Sequence, residues 1–375
     1  MSTPETAITR RGALAVGAGV VAGGLGLSRA AQAAPEGKPV KLTTAQLAGQ
    51  RVIFSYPGAT PPASLLDQIS AGEAGGVIFF GENITSLTQI AGVVAQLNEA
   101  HAASPVSSPL LLMTDQEGGI VRRLPGAPVL SEKQIGASAD PRAEAAAAGT
   151  GAGQNLAGVG LNTNLAPVLD VFRQAGNFDD EFGRSYSMDP NVCAECGAAF
   201  ITEQQKLNIA ATAKHFPGLG AATVDQNTDL GPVTLDVPLA DLRSIDERPF
   251  RAAIAAGVRL VMTSWAVYPA LDPRLPSGLS PTIVAGELRQ RLGFRGVTIT
   301  DALEAGAIAA FGTPAQCGVL AARAGMDVLL CSARDVSEGQ DTVAALVDAL
   351  RHHALDPGQF QIALRRVLAL RDRLA

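Results

Sequence analysis

The run LLLMTDQEGG (residues 110–119) decides how the chain is to be read. Its apolar part is too short for a helix, and its unbroken apolarity marks a strand covered on both faces. A carboxylate, Asp115, follows at once, and Gly118-Gly119 lets the chain turn tightly behind it. A buried parallel strand ending on a charged group is the repeating unit of barrels whose active sites lie at strand C-termini.

The same unit recurs along the chain. Strands are expected at Val52–Tyr56, Gly76–Phe80, Leu110–Thr114, Thr163–Pro167, Ala211–His215, Leu260–Thr263, Val297–Thr300 and Asp327–Leu330. Helical patterns are expected near Thr43–Arg51 and over Leu87–Ala100, Ala137–Leu156, Pro190–Leu207, Leu239–Ala256, Val284–Leu292, Ala315–Ala324 and Val336–His352. Alternation of this kind closes most simply as a single-domain (β/α)8 barrel of the TIM type. An open doubly wound sheet is the competing architecture. Neither a GxGxxG turn nor a Walker A sequence is present, so no nucleotide cofactor is expected. Polar groups recur where strands end: Asp115, Asp170, Lys214-His215, Ser264-Trp265 and Asp301. Such a recurrence predicts a shared pocket at one pole.

The first residues are set apart from the fold. TRR (residues 9–11) precedes the charge-free run Gly12–Ser28, and Ala31-Gln32-Ala33 supplies small residues for cleavage. Residues 1–33 are therefore expected to be a secretory leader of twin-arginine type, with the folded domain at 34–375 and no membrane anchor. The chain carries 29 Lys+Arg against 35 Asp+Glu, a net charge of −6, and no basic block. That balance argues against a nucleic-acid partner. Four cysteines in so long a chain make no disulfide scaffold. Cys193-Ala-Glu-Cys196 has a metal-like spacing but sits in a helical pattern with no second pair, so no metal centre is expected. Export leaves room for one disulfide, with Cys317–Cys331 the favoured pair.

The charged residues suggest a chemistry. Asp301, placed after the β-branched run VTIT, suits a nucleophile or a stabiliser of developing positive charge. Asp115 can accept from paired hydroxyls, and Arg184, Lys214 and His215 add donors matched to a polyol. Retaining glycoside hydrolysis also needs a second carboxyl group, about 5–5.5 Å from the first.

Motifs over most of the chain carry a resemblance: TDQEGG (114–119), NLAPVLDV (164–171), GRS (183–185), KHFPG (214–218), TLDVPLADLR (234–243), YPALDP (268–273), LSP (279–281), TITDALEAGAI (298–308) and AARAGMDVLL (321–330). The chain resembles glycoside hydrolase family 3, specifically its single-domain bacterial β-N-acetylglucosaminidases. The resemblance implies an exo-acting, retaining β-glycosidase of the β-N-acetylhexosaminidase type, with a carbohydrate substrate and no cofactor. It implies Asp301 as nucleophile and Asp115, Arg184, Lys214 and His215 as sugar-binding groups. A monomer or weak oligomer is expected.

The chain departs from that pattern at one functional position. In the resembled enzymes KHFPG continues with histidine, glycine, four variable residues and Asp-x-His, whose last histidine is the acid/base. Here Leu219 stands at the first histidine, Asp225 keeps the aspartate, and Asn227 occupies the acid/base position. Ser264-Trp265 also stands where relatives often carry histidine, and Ala302 where some carry a second aspartate. An amide has no proton to give near neutral pH, so Asn227 is expected to bind substrate rather than to act as acid. His101, His352 and His353 are poorly placed to substitute. Asp229 or Asp225 is the expected replacement, Asp229 favoured because a two-residue loop shift would serve; Glu117 and Glu304 are more distant possibilities. The alternatives are a catalytically degenerate carbohydrate-binding protein, or a related β-glycosidase, transglycosylase or phosphorylase with altered acid/base chemistry.

Overall fold

The computed structural model describes residues 41–375. The expected leader at 1–33 lies outside the described residues. Eight parallel strands form a closed barrel: β1 (Val52–Phe54), β2 (Gly76–Phe79), β3 (Leu111–Thr114), β4 (Thr163–Asn164), β5 (Ala210–Phe216), β6 (Leu260–Thr263), β7 (Val297–Ala302) and β8 (Val328–Leu330). Each pairs with its neighbours in sequence, and Val52 opposite Leu329 closes the ring. The architecture is an α/β TIM-type barrel.

Unbroken apolarity has a direct cause here. Successive strand side chains point to opposite faces, and both faces are buried. Leu111 and Met113, Leu260 and Met262, and Val328 and Leu330 fill the barrel interior. Between them, Leu112, Val261 and Leu329 point outward under the helices. The alanine-rich helix Pro141–Gly158 lies so close to Pro190–Lys206 that a Cβ on Gly149 would meet the Phe200 carbonyl oxygen at 2.3 Å. Small residues there permit the contact.

All eight expected strands are present, and two helices of eight residues or more that are absent from the sequence reading are added, besides the short turns Glu132–Gly136 and Phe178–Glu181. Ala63–Ser70 is only 8 residues long, too brief for a clear period. Pro357–Asp372 begins in an Asp-Pro-Gly run that has the composition of a turn, but Asp356 caps it and the proline takes its first turn. Val367, Leu370 and Leu374 at this end of the chain plug the N-terminal pole of the barrel. Buried Arg371 holds the helix there by donating to the Ser108 and Pro109 carbonyls at 2.6 Å each. The expected helix Leu239–Ala256 is interrupted by wider turns over Leu242–Asp246, and Thr282–Arg291 is wound in the same wider form.

The favoured disulfide is not formed. All four cysteines are free and buried. The Cys317 thiol faces the Ile308 carbonyl, whereas Cys331 faces Thr342 on the helix Val336–Arg351. No helix among the described residues is long and apolar enough to cross a membrane.

Candidate active site

The C-terminal pole of the barrel opens into a cavity of about 530 Å³. Its floor is apolar, formed by Ile78, Met262 and Leu330 from three strands and by Leu165 just past β4. Its wall gathers Asp115, Arg184, Lys214, His215, Asp229 and Asp301, six groups expected from the sequence. Asp225 and Asn227 do not line it.

One half of the wall is a buried ion network. Lys214, at the end of β5, places Nζ 2.7 Å from Asp115 Oδ1 and 2.6 Å from Glu117 Oε1. Arg184 donates to both oxygens of Glu117, from Nε and Nη2, at 2.9 Å each. Burial alone would raise the Glu117 carboxyl, but the Arg184 and Lys214 charges outweigh it and hold the group down to about 2. Glu117 is therefore a locked anion and cannot donate a proton at neutral pH. Burial would likewise lower Lys214, yet Asp115 and Glu117 raise it, so the lysine stays charged. Asp115 is bound through Oδ1 only, and among the described residues its Oδ2 has no hydrogen-bond donor.

His215 is set by Asp170, a fully buried residue. The imidazole Nδ1 lies 2.8 Å from Asp170 Oδ2, while Oδ1 accepts from the backbone N–H groups of His215 and Leu219. Burial lowers the His215 pKa, but the Asp170 charge and hydrogen bond prevail and raise it. The Lys214–His215 and Phe216–Pro217 peptides bracketing the histidine are both cis.

The other half of the wall is a surface loop pinned to the connection that follows β7, the strand carrying Asp301. The Thr228 and Asp229 carbonyls accept from Ala307 N–H at 3.0 Å and Gly306 N–H at 2.9 Å. A Cβ on Gly306 would lie 2.5 Å from the Leu230 carbonyl oxygen, so only glycine permits this approach. Asn227 closes the turn locally: its Oδ1 accepts from Asp229 N–H at 2.8 Å. The amide shapes the loop, and Thr228 and Asp229 face the cavity in its stead. The Asp229 side chain is open at the mouth, yet desolvation by the surrounding walls and the like charge of Asp301 raise its pKa. Asp225 is exposed to solvent.

Asp301 ends β7, where its Oδ1 accepts from Ala302 N–H at 2.8 Å. Buried Trp265 braces this strand end by donating Nε1–H to the Ala302 carbonyl at 2.7 Å. Ser264 beside it bonds the Tyr268 hydroxyl at 2.9 Å.

Sequence reasoning missed two contributors, Arg123 and Arg334, and named a third, Glu117, for another role. Glu117 was a remote acid candidate and proves to be the hub of the ion network. Arg123 lines the cavity and donates its backbone N–H to the Asp115 carbonyl at 3.2 Å. It belongs to the same TDQEGGIVRRL segment, and its place eight residues past Asp115, beyond the Gly-Gly turn, was the available signal. Arg334 lines the mouth through a left-handed backbone (φ 60°), its guanidinium 4.7 Å from the Phe80 ring centroid and 3.2 Å from Glu82. Nothing local in the sequence marks that contact. Glu304 is at the rim, accepting from Ser332 Oγ at 2.8 Å. Among the described residues no group of three or more His, Cys, Asp or Glu is arranged to hold a metal ion.

A TIM-type barrel whose C-terminal mouth gathers carboxyl groups and cationic donors around one cavity has the build of an enzyme acting on a polar substrate. The chain belongs to glycosyl hydrolase family 3, whose N-terminal domain matches residues 41–370. It is 47% identical over 348 residues to a secreted glycosyl hydrolase of Arthroderma benhamiae, covering 92% of this chain and 97% of that one. Among solved structures it superposes on the family 3 β-N-acetylglucosaminidase of Paenibacillus sp. with a TM-score of 0.84 at 33% identity, covering 89% of this chain. It spans only 63% of that Paenibacillus chain. The β-N-acetylhexosaminidase of Beutenbergia cavernae matches with a TM-score of 0.80 at 36% identity, over 88% of this chain and 99% of that one. Membership makes this chain a hydrolase of O-glycosidic bonds and its substrate class carbohydrate.

Proposed function

We propose that the protein is an exported, retaining, exo-acting β-N-acetylhexosaminidase in which Asp229 replaces the missing histidine as acid/base. The observation that carries this reading is the placement of Asp229 and Asp301 on one cavity wall, with the Asp229 pKa raised by desolvation and by the Asp301 charge. Asp115, Arg123, Arg184, Lys214 and His215 hold the sugar hydroxyls. Asp301 attacks the anomeric carbon as the glycosidic C–O bond breaks, and the departing oxygen takes the Asp229 proton. A glycosyl-aspartate ester results. Water then attacks the same carbon, gives its proton to the Asp229 carboxylate, and Asp301 leaves as the free anion.

The electrostatics suit both half-reactions. Desolvation, and then the like charge of Asp301, raise the Asp229 pKa and so favour the protonated form that serves as the acid. Once Asp301 is esterified that charge is gone, the Asp229 pKa falls, and the carboxylate is available as a base. Support for the substrate comes from the relatives called β-N-acetylglucosaminidase and β-N-acetylhexosaminidase. Support for export comes from the relative called secreted and from the leader-like residues 1–33, with the twin-arginine route favoured by Arg10-Arg11.

A panel of aryl β-glycosides with good and poor leaving groups tests the reading. Turnover of N-acetylglucosaminides with retained anomeric configuration is the expected result. The second reading, a sugar-binding barrel without catalysis, draws on Asn227, and measurable sugar binding with no turnover of any glycoside would establish it instead.

A further inference from the structure

At the opposite pole from the cavity, a cleft of about 300 Å³ opens among the residues that precede β6 and β7 and the C-terminal helix Pro357–Asp372. Four arginines line it: Arg259, Arg295, Arg366 and Arg373. They come from three separate parts of the chain, and the fold alone brings them together.

The cluster stands out in a chain whose overall net charge is −6. Its internal counter-charge is small. Asp327, fully buried, accepts from Arg366 Nη1 at 3.1 Å, but its other oxygen already serves Arg289 at 2.5 Å. Arg259 gives one bond, to Asn208 Oδ1 at 3.3 Å. Among the described residues the exposed Arg295 and Arg373 side chains make no hydrogen bond or ion pair. Burial, and then the Arg373 charge beside it, lower the Arg259 pKa, as expected of guanidinium groups that face one another without an anion between them.

We infer that this cleft is a binding site for a phosphoryl oxyanion, carried either by free phosphate or by a phosphodiester polymer. A single carboxylate would leave most of the positive charge unbalanced. A phosphoryl group offers several oxygens and, as a monoester, up to two charges, and it takes bidentate hydrogen bonds from more than one guanidinium. The site is remote from the hydrolytic cavity and its existence does not rest on the assignment of Asp229.

Calorimetric titration of the full-length protein at low ionic strength tests it, first with sodium phosphate and then with a short poly(glycerol phosphate). Saturable binding is expected for at least one of the two, weakening as chloride screens the cluster. The Arg295→Gln/Arg373→Gln double variant should bind at least tenfold more weakly while retaining the parent's aryl-glycoside turnover and its melting temperature in chloride. Binding of phosphate itself would identify the free ion as a ligand, and binding of the oligomer alone would identify a polymer-borne group. Absence of saturable binding to either probe, or equal binding by the double variant, would overturn the inference.

Discussion

The two halves of the active-site wall are built in opposite ways. On one side, buried Glu117 and Lys214 and partly buried Arg184 are interlocked through charge-assisted bonds. On the other, Asp229 rides on a surface loop held to the connection after β7 by two backbone hydrogen bonds. Removing one partner of a buried ion network strands the others, so identities there are hard to change. A loop fixed through its backbone can exchange side chains and still present a carboxyl group to the cavity. This contrast accounts for a chain that keeps its buried ion network while the loop reads Asp225-Gln226-Asn227.

The largest expected effect lies at the junction of the halves. Asp301→Asn should lower kcat by about 10⁴-fold or more, because no other group attacks the anomeric carbon. Detection of no glycosyl-enzyme by mass spectrometry with a slow fluorinated substrate would accompany it. Within the buried half, Glu117→Gln should cost about 3–5 kcal/mol in denaturant unfolding, since Lys214 and Arg184 lose their shared anion. The parent's stability has a matching pH dependence. The folded Glu117 carboxyl is held at about 2, below its unfolded value. Its contribution is therefore complete above pH ~4.3 and is lost as pH falls toward 2. In Glu117→Gln that loss between the two values should shrink, as urea titrations at several pH values would report.

In the loop half the expected effects are kinetic. Gly306→Ala should displace residues 228–230, because its Cβ would sit 2.5 Å from the Leu230 carbonyl oxygen. A fall in kcat that is largest on poor leaving groups, with KM little changed, is the expected signature. Activity on the same substrates should decline as pH rises through the raised Asp229 pKa, because the acid form is lost. Asp225→Asn is the smallest change: the residue is exposed and outside the cavity, so stability should move by no more than about 0.5 kcal/mol and kcat/KM hardly at all.

Legibility in the sequence followed the same division. Strand positions and strand-end groups were readable because burial on both faces forces unbroken apolar runs, and the barrel forces polar groups to their C-terminal ends. Asp115, Lys214, His215 and Asp301 were found that way. The hub role of Glu117 was not, because nothing in TDQEGG shows that Arg184 and Lys214 converge on it from 67 and 97 residues away. The loop was harder still. Its geometry depends on carbonyl bonds to Gly306 and Ala307, contacts with no side-chain signature. Pro357–Asp372 was lost because a capped helix start and a turn share the composition Asp-Pro-Gly.

The central claim, that Asp229 gives and takes the proton, is tested most directly by the leaving-group dependence of Asp229→Asn with and without azide. The account predicts a loss of about 10²–10⁴-fold on glycosides with poor leaving groups, near-parent rates of glycosylation on activated aryl glycosides, and a β-glycosyl azide product when azide is added. A uniform loss across leaving groups with no azide product, or no loss on any of them, would contradict it.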